Sequence, residues 1–523
     1  MAQSVDAGVA VAPLVTHRER LYWAAAGATI LLGIVLRLWG YFQFELWYDE
    51  AFWARRILRS LTSPMRPVGY MYLSQVLMKL HNSEPMIRLP SLVAGIASLP
   101  LLLVICRRLR LGWPVTLLGL LVFAVHPWLV TASKEFKPYG LELGLHLALL
   151  ALATSYWQTR QARYLVLLGC FGALAPVFAW TVAMLLPWLF LLLLVETLRA
   201  RNKPHAAIAF VGGALSAASL AAIFFLRIAG TRRRHTEGRF TDKYDVFFAG
   251  DGWLEHARWL LQKTLDVAAF PAQLNPFFEP GSVARAALGW IHVAAAVAGC
   301  AYLIKKRSAL AVIIAGTWLT AIVLVMAKVW PYGVFRTNLY LLAYSTLLVL
   351  CGLQYLADWA SARAATRAVV LGLGAAYALL IFPYDLASAA QKTAGGDTAA
   401  TRQSLEIIKA HEEAQPSKGK PLLLMDGLSC SPVGYYTADH ASASAVLGDF
   451  VRRKMEAVCV GRGTTPLQRR IKRSLRRGFW LMVSKSVNID TLLAYAKERC
   501  TPDVLQHLPG PSLLLHCPPR VSR

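Results

Sequence analysis

The chain has 523 residues, 56% of them hydrophobic and 16% charged, with sixteen Trp, a balance that excludes an ordinary soluble domain. Its net charge of +26 would suit a nucleic-acid binder. The cations, however, are scattered between apolar runs rather than gathered on one element, which argues against a nucleic-acid face.

In chain order, Met1 to Thr16 is weakly polar, and no signal peptide stands apart from the first apolar run. Apolar stretches of bilayer length then recur. The pattern predicts eleven spans at 21–43, 87–106, 113–131, 139–157, 164–179, 180–198, 205–227, 285–304, 309–327, 338–357 and 367–384. The fifth and sixth share one apolar run, broken only around Pro176 to Trp180. The fold class expected is an all-α polytopic membrane protein with a small C-terminal α/β domain.

Orientation follows from charge. With the N-terminus inside, six consecutive inner connections carry Arg18 and Arg20; Arg107, Arg108 and Arg110; Arg160 and Arg163; Arg199, Arg201 and Lys203; Lys305, Lys306 and Arg307; and Arg363 and Arg367. The positive-inside rule therefore predicts a cytoplasmic N-terminus. Parity then puts 44–86, 132–138, 228–284, 328–337 and everything from Asp385 onward on the outer, periplasmic or lumenal, face. Within the long outer connection, GWLEHARWLLQKTLDVAAF (252–270) reads as an interfacial helix with Trp253, Leu260, Leu261 and Leu265 near one face.

The composition changes near Asp385, which suggests two domains, 1–384 in the membrane and 385–523 outside it. RQSLEIIKAHEEA (402–414) has helical spacing, while PLLLMDG (421–427) and RGFWLMVS (477–484) read as buried strands. Cys430, Cys459, Cys500 and Cys517 lie in this tail. In an oxidising compartment an even number suggests two disulfides with three possible connectivities, of which Cys430–Cys459 with Cys500–Cys517 is favoured because those loops are local. Two buried pairs of free thiols are the other reading.

Four outer-face segments place acids, cations, prolines and aromatics at a membrane boundary. They are LWYDEAFW (46–53), RPVGYMYLSQVLMKLHNSEPMIRLPSLVAG (66–95), HPWLVTASKEFKPYGLEL (126–143) and WPYGVFRTNLYLL (330–342). A bare Asp49–Glu50 pair beside hydrocarbon is costly to keep charged, so it needs water or a task.

This order of boxes resembles the GT-C polytopic glycosyltransferases, in the branch of the protein O-mannosyltransferases and lipid A aminoarabinose transferases. The resemblance covers residues 20–150, and the segment at 330–336 and the small tail are similar to features of bacterial members. Two positions depart from the family pattern: Val68 follows Pro67 where two prolines are usual, and Lys137 stands where the acid-x-Arg-Pro-Tyr box has Arg. Lys keeps the charge but lacks the bidentate fork.

The resemblance implies an inverting glycosyltransferase of a bacterial inner membrane. It would move a sugar from a polyprenyl-phosphate donor to an envelope glycan (lipopolysaccharide included), a lipid or a protein. Asp49 matches the family's first acidic residue and is the candidate general base, with Glu50 beside it. Glu50 and Glu135 would orient the acceptor or nearby cations. Arg66, Lys134, Lys137 and Arg336 are the candidates for the lipid phosphate, and Tyr139 closes the third box. Some relatives bind a divalent cation near the acidic pair, which leaves room for one by Asp49 and Glu50. His235 and His256 stand too far apart from other ligand types to argue for a metal.

Outer-loop Lys and Arg often only anchor to headgroups, Glu135 and Lys137 can form a plain loop ion pair, and Asp49 can cap an interfacial helix. Arg37, inside the first span, is expected to be structural. A lipid-linked sugar flippase is the competing function. It should show mid-membrane acids, broken helices or an internal repeat, whereas the charges read here cluster at one face and no repeat is found.

Overall fold

The computed structural model describes residues 17–42, 46, 48–58, 66–81, 83–228, 252–269, 283–306, 308–333, 336–360, 372, 401–417, 419–426, 429–436, 450–451, 453–460, 464–483, 488–508 and 512–519. Among the described residues, six helices are long and apolar enough to cross a membrane: His17–Leu38, Glu84–Arg108, Lys203–Leu226, Ala286–Lys305, Ala309–Met326 and Leu339–Trp359. A seventh crossing results if the bent pair Trp113–Val125 and Pro127–Lys134 counts as one. The molecule is thus a multi-pass integral membrane protein.

The first helix, α1 (His17–Leu38), leads to α2 (Tyr48–Leu58), α3 (Val68–Leu80) and α4 (Glu84–Arg108). Pro85 in the first turn of α4 needs no N–H there, so it starts the helix without cost. Then come α5 (Trp113–Val125) and α6 (Pro127–Lys134). The apolar pattern predicts one unbroken span over 113–131, but the structure bends by 50° between these two helices. Pro127 has no N–H to offer the Phe123 carbonyl four residues back, so the helix ends there.

Arg37 resolves the break. Its guanidinium donates to the Phe123 carbonyl at 2.9 Å, the Ala124 carbonyl at 3.0 Å and the Gly33 carbonyl at 2.9 Å. A buried cation on the carbonyl end of a helix also meets its dipole favourably. This is the structural role that the sequence suggested for Arg37.

Beyond the bend lie α7 (Tyr139–Thr159), α8 (Ala162–Phe178), a 3-10 turn (Trp180–Met184), α9 (Leu186–Arg199) and α10 (Lys203–Ile223). The 3-10 turn falls where the fifth and sixth expected spans were separated. With 17 residues α8 is at the short end for a crossing, and α9, with 14, needs the 3-10 turn before it to reach such a length. The remaining helices of this region are α11 (Trp253–Ala268), α12 (Val283–Lys305), α13 (Ala309–Met326) and α14 (Leu339–Ala360). At the α12–α14 crossing, a Cβ on Gly299 would strike the Leu348 carbonyl, and one on Gly352 the Ala295 carbonyl. Only glycine allows this approach, as in close-packed membrane helices. The expected span 367–384 lies outside the described residues, apart from Gly372.

α11 is amphipathic as expected, but its faces are rotated from the expected stripe. Trp253, Leu254 and Leu261 are exposed, whereas Trp259, Leu260 and Val267 pack on the bundle. Thr264 bonds Tyr332 at 3.1 Å, and Ser345 donates to the Ala268 carbonyl at 2.9 Å. These polar contacts decide which face turns inward.

The tail folds as α15 (Thr401–Ala414), β1 (Leu422–Met425), α16 (Cys430–Tyr436), β2 (Glu456–Cys459), α17 (Thr464–Ser474), β3 (Phe479–Val483), α18 (Ile489–Lys497), β4 (Val504–Leu508) and β5 (Ser512–Cys517). The sheet order is β2-β1-β3-β5-β4, with β2, β1 and β3 parallel and β5 antiparallel to both its neighbours. Both faces of β1 and β3 are buried, which explains their unbroken apolar sequences. Cys430 is bridged to Cys459 and Cys500 to Cys517, the two local pairings expected.

Leu422, Leu424, Phe479, Leu481 and Leu515 pack on one face of the sheet with α17 and α18. Leu423, Met425, Trp480, Met482 and Leu514 on the other face share an apolar cluster with Ala51, Ile57, Tyr70, Met71, Ile87 and Phe136. The tail therefore sits on α2, α3 and the start of α4.

Candidate active site

Glu50 is the centre of a polar junction beneath the tail. It lies in the first turn of α2, and Arg88 lies one turn into α4. Arg88 donates through Nε to Glu50 Oε1 at 3.2 Å and through its terminal nitrogen to Oε2 at 2.7 Å. Both side chains are 1% exposed. This is the bidentate fork that suits Arg and that Lys cannot reproduce. Glu50 Oε1 also accepts the Phe136 backbone N–H.

Three of the sequence boxes thus meet: LWYDEAFW through Glu50, RLPS through Arg88, and EFKPY through Phe136. A second tie runs alongside, with Ser91 Oγ donating to the Lys137 carbonyl at 2.7 Å. Tyr70 reaches Ser91 at 3.4 Å and stacks on Phe136, with ring centroids 5.6 Å apart. Burial pushes the Tyr70 phenol above the usual tyrosine range.

Arg66 is buried where Pro67 opens α3. Its guanidinium lies 4.4 Å from the Trp53 ring centroid and donates to the Phe136 carbonyl at 3.4 Å. Desolvated cation–π contacts of this kind are worth roughly 2 kcal/mol. Lys134 is buried at the end of α6 and donates to the Trp39 carbonyl at 2.7 Å, closing the end of α1. The Lys137 side chain is buried, Glu135 is partly exposed, and Tyr139 is half-buried where α7 begins. The sequence foresaw neither the Glu50–Arg88 pair nor the anchoring of Lys134.

The Asp49 backbone lies in the first turn of α2, next to Glu50, and the Arg336 backbone opens a 3-10 turn (Arg336–Asn338) before α14; both side chains are outside the described residues. The loop before Arg336 is fixed by Asn338. That side chain donates to the Pro331 and Gly333 carbonyls at 3.0 and 3.1 Å and accepts from Trp330 Nε1 at 3.2 Å. Gly333, at φ 112°, takes a backbone region closed to other residues.

The tail closes the junction from above. Arg402 of α15 pairs with Glu84 of α4. Tyr435 of α16 is buried close to Glu84, Arg88, Arg402 and Glu50, and burial raises its phenol above the usual range.

Just below, α7 buries Glu142 and His146. His146 Nδ1 meets Tyr344 at 2.7 Å and Nε2 meets Thr181 at 3.2 Å. This polar group and the α5–α6 bend are features that the sequence reading reserved for a transporter. Glu142 is three residues from the start of α7, so the group adjoins the boxes rather than the far leaflet.

Glu50 is poorly suited to hold a divalent cation, because Arg88 engages both its oxygens.

Residues 65–225, which include Arg66, Arg88 and the EFKPY box, match the model of the dolichyl-phosphate-mannose-protein mannosyltransferase family. No curated protein matches the chain. Among solved structures, ArnT from Cupriavidus metallidurans in the apo state is 14% identical, covering 94% of this chain and 98% of that one, with a TM-score of 0.49. The same ArnT bound to undecaprenyl phosphate gives 14% identity, coverage of 96% and 98%, and a TM-score of 0.49. The oligosaccharyltransferase of Archaeoglobus fulgidus in the apo form gives 12%, 94% and 70%, and 0.47. Residues 65–225 are thus similar to the mannosyltransferase family in sequence.

Proposed function

We propose that the protein transfers a sugar from a polyprenyl-phosphate carrier to an acceptor hydroxyl on the outer face of a bacterial inner membrane. The matched family is described by such a donor, dolichyl phosphate mannose. The observation that carries the reading is the meeting of three boxes at Glu50, Arg88 and Phe136. A carboxylate held this firmly next to a second acid in the chain suits a reaction in which Glu50 positions and Asp49 works.

In this mechanism Asp49 takes the acceptor's proton as the acceptor oxygen attacks the anomeric carbon from the face opposite the phosphate. The new C–O bond forms as the bond to the phosphate oxygen breaks, so configuration inverts and the polyprenyl phosphate leaves with the electron pair. The bond from Arg88 to Glu50 orients the start of α2, and with it Asp49. Arg66, Lys134, Lys137 and Arg336 form the cationic set for the departing phosphate, where low dielectric strengthens them. Glu135 and Tyr139 orient the acceptor or these cations.

Eleven spans, a membrane domain over 1–384 and a periplasmic domain over 385–523 complete the proposal. The acceptor is an envelope glycan, lipid or protein. Purified protein in liposomes, supplied with labelled polyprenyl-phosphate sugars and extracted envelope material, should move label into an acceptor. Label that crosses the bilayer on an intact carrier, with none transferred, would instead identify a flippase.

A further inference from the structure

The tail holds a second cluster of side chains that the transfer reaction does not use. His411 stands in the last turn of α15, Asp503 just before β4 and His516 in β5. Their ligand atoms all lie within 4.8 Å of one another, with His516 Nδ1 2.7 Å from Asp503 Oδ1 and His411 Nε2 3.7 Å from Asp503 Oδ2. Among the described residues they are the one group of three or more such side chains close enough to share an ion.

We infer that His411, Asp503 and His516 form a binding site for a divalent transition-metal ion of the zinc class. The donor chemistry suits it, since two imidazoles and a carboxylate with an open fourth position are a common zinc set. The spacing suits it as well. Ligands at zinc bond lengths in a tetrahedron are separated by about 3.3 Å, so small side-chain rotations would bring all three onto one ion.

The state of His411 is the second observation. Its Nδ1 is buried without a hydrogen-bond partner among the described residues, and its Nε2 faces Asp503 at 3.7 Å, beyond hydrogen-bond reach. A largely buried imidazole left in this way is costly. An ion between the three side chains would give this imidazole a partner through one of its ring nitrogens.

The surroundings are built to hold this geometry. Trp480 stacks on His516 at 4.4 Å and meets His411 edge-on at 5.1 Å. Its own position is fixed by a 2.8 Å bond from Nε1 to Glu412. The Cys500–Cys517 disulfide binds the segment before Asp503 to the strand end beside His516. The ion would fasten the C-terminal end of α15 to the sheet, while Arg402 near its other end pairs with Glu84.

The test uses full-length protein purified in detergent without a histidine tag, with Zn2+ as probe. After incubation and desalting, metal analysis should find about one zinc per wild-type chain, the count for a single site. Zinc should also raise the melting temperature of the wild type, because only the folded tail presents the site. His411→Gln/His516→Gln should retain neither effect, and Asp503→Asn should weaken both. Peptide mapping of the two disulfides verifies that each variant has folded. Equal zinc content and an equal melting response in wild type and the double variant would overturn the inference, as would a wild type that holds no zinc.

Discussion

Replacing Arg88 with Leu tests the junction on which the site is built. Glu50 and Arg88 are both 1% exposed, and two hydrogen bonds at 2.7 and 3.2 Å join them. Removing one partner of such a pair leaves a buried charge uncompensated, at a cost of roughly 3–5 kcal/mol. That is a large part of the ~5–15 kcal/mol that holds a typical protein folded. Arg88→Lys keeps the charge but loses the fork, and should cost about 1.5–3 kcal/mol, the worth of one charged hydrogen bond. The double variant Glu50→Leu/Arg88→Leu should recover most of the loss, because an apolar pair carries no desolvation penalty. It should nevertheless transfer poorly, since the Phe136 N–H then has no carboxylate to hold the EFKPY box in place. Equilibrium unfolding in detergent micelles, followed by Trp fluorescence, gives the energies, and a transfer assay gives the rate. Additive single-variant losses below ~1 kcal/mol would refute the reasoning, because a pair in contact must couple.

Other expectations are independent of that pair. A reporter fused after Ser388 should be active only outside, and one within 305–308 only inside; the reverse would reassign every proposed site residue to the cytoplasmic face. Lys137→Ala and Arg336→Ala should raise the donor concentration needed for half-maximal rate before they lower the limiting rate, as initial-rate curves would show. Replacing Cys430 and Cys459 together by Ser should destabilise the tail by about 3–4 kcal/mol, from the chain entropy of a 29-residue separation. Limited proteolysis should then cut the tail faster, while unchanged resistance would count against that cost.

The parts of this architecture that depend on local pattern were visible in the sequence. Helical spacing at 402–414 and the apolar runs PLLLMDG and RGFWLMVS correspond to α15, β1 and β3 because period and burial are written locally. The break in the third span was also signalled, by Pro127, but hydropathy averages over a window and passes across a single residue. The partners within the site were less visible. Arg88 lies 38 residues from Glu50, and nothing in RLPS distinguishes a buried fork from a headgroup anchor. Lys134 bonds the Trp39 carbonyl, 95 residues away, a partner that its own box does not reveal. The faces of α11 followed Thr264 and Ser345, two hydroxyl residues that an apolar periodicity ignores. The His411–Asp503–His516 cluster joins three elements and leaves no spacing motif at all.

The central claim is that Asp49 removes the acceptor's proton, and Asp49→Asn isolates that step by keeping the shape while deleting the base. The measurement is initial transfer rate against donor concentration in reconstituted membranes, with folding verified for each preparation. Loss of a general base predicts a limiting rate lower by about two to four orders of magnitude, with donor affinity nearly unchanged because the phosphate contacts lie on cations elsewhere. Near-normal turnover by Asp49→Asn would contradict the account and leave the acidic pair a structural feature of α2.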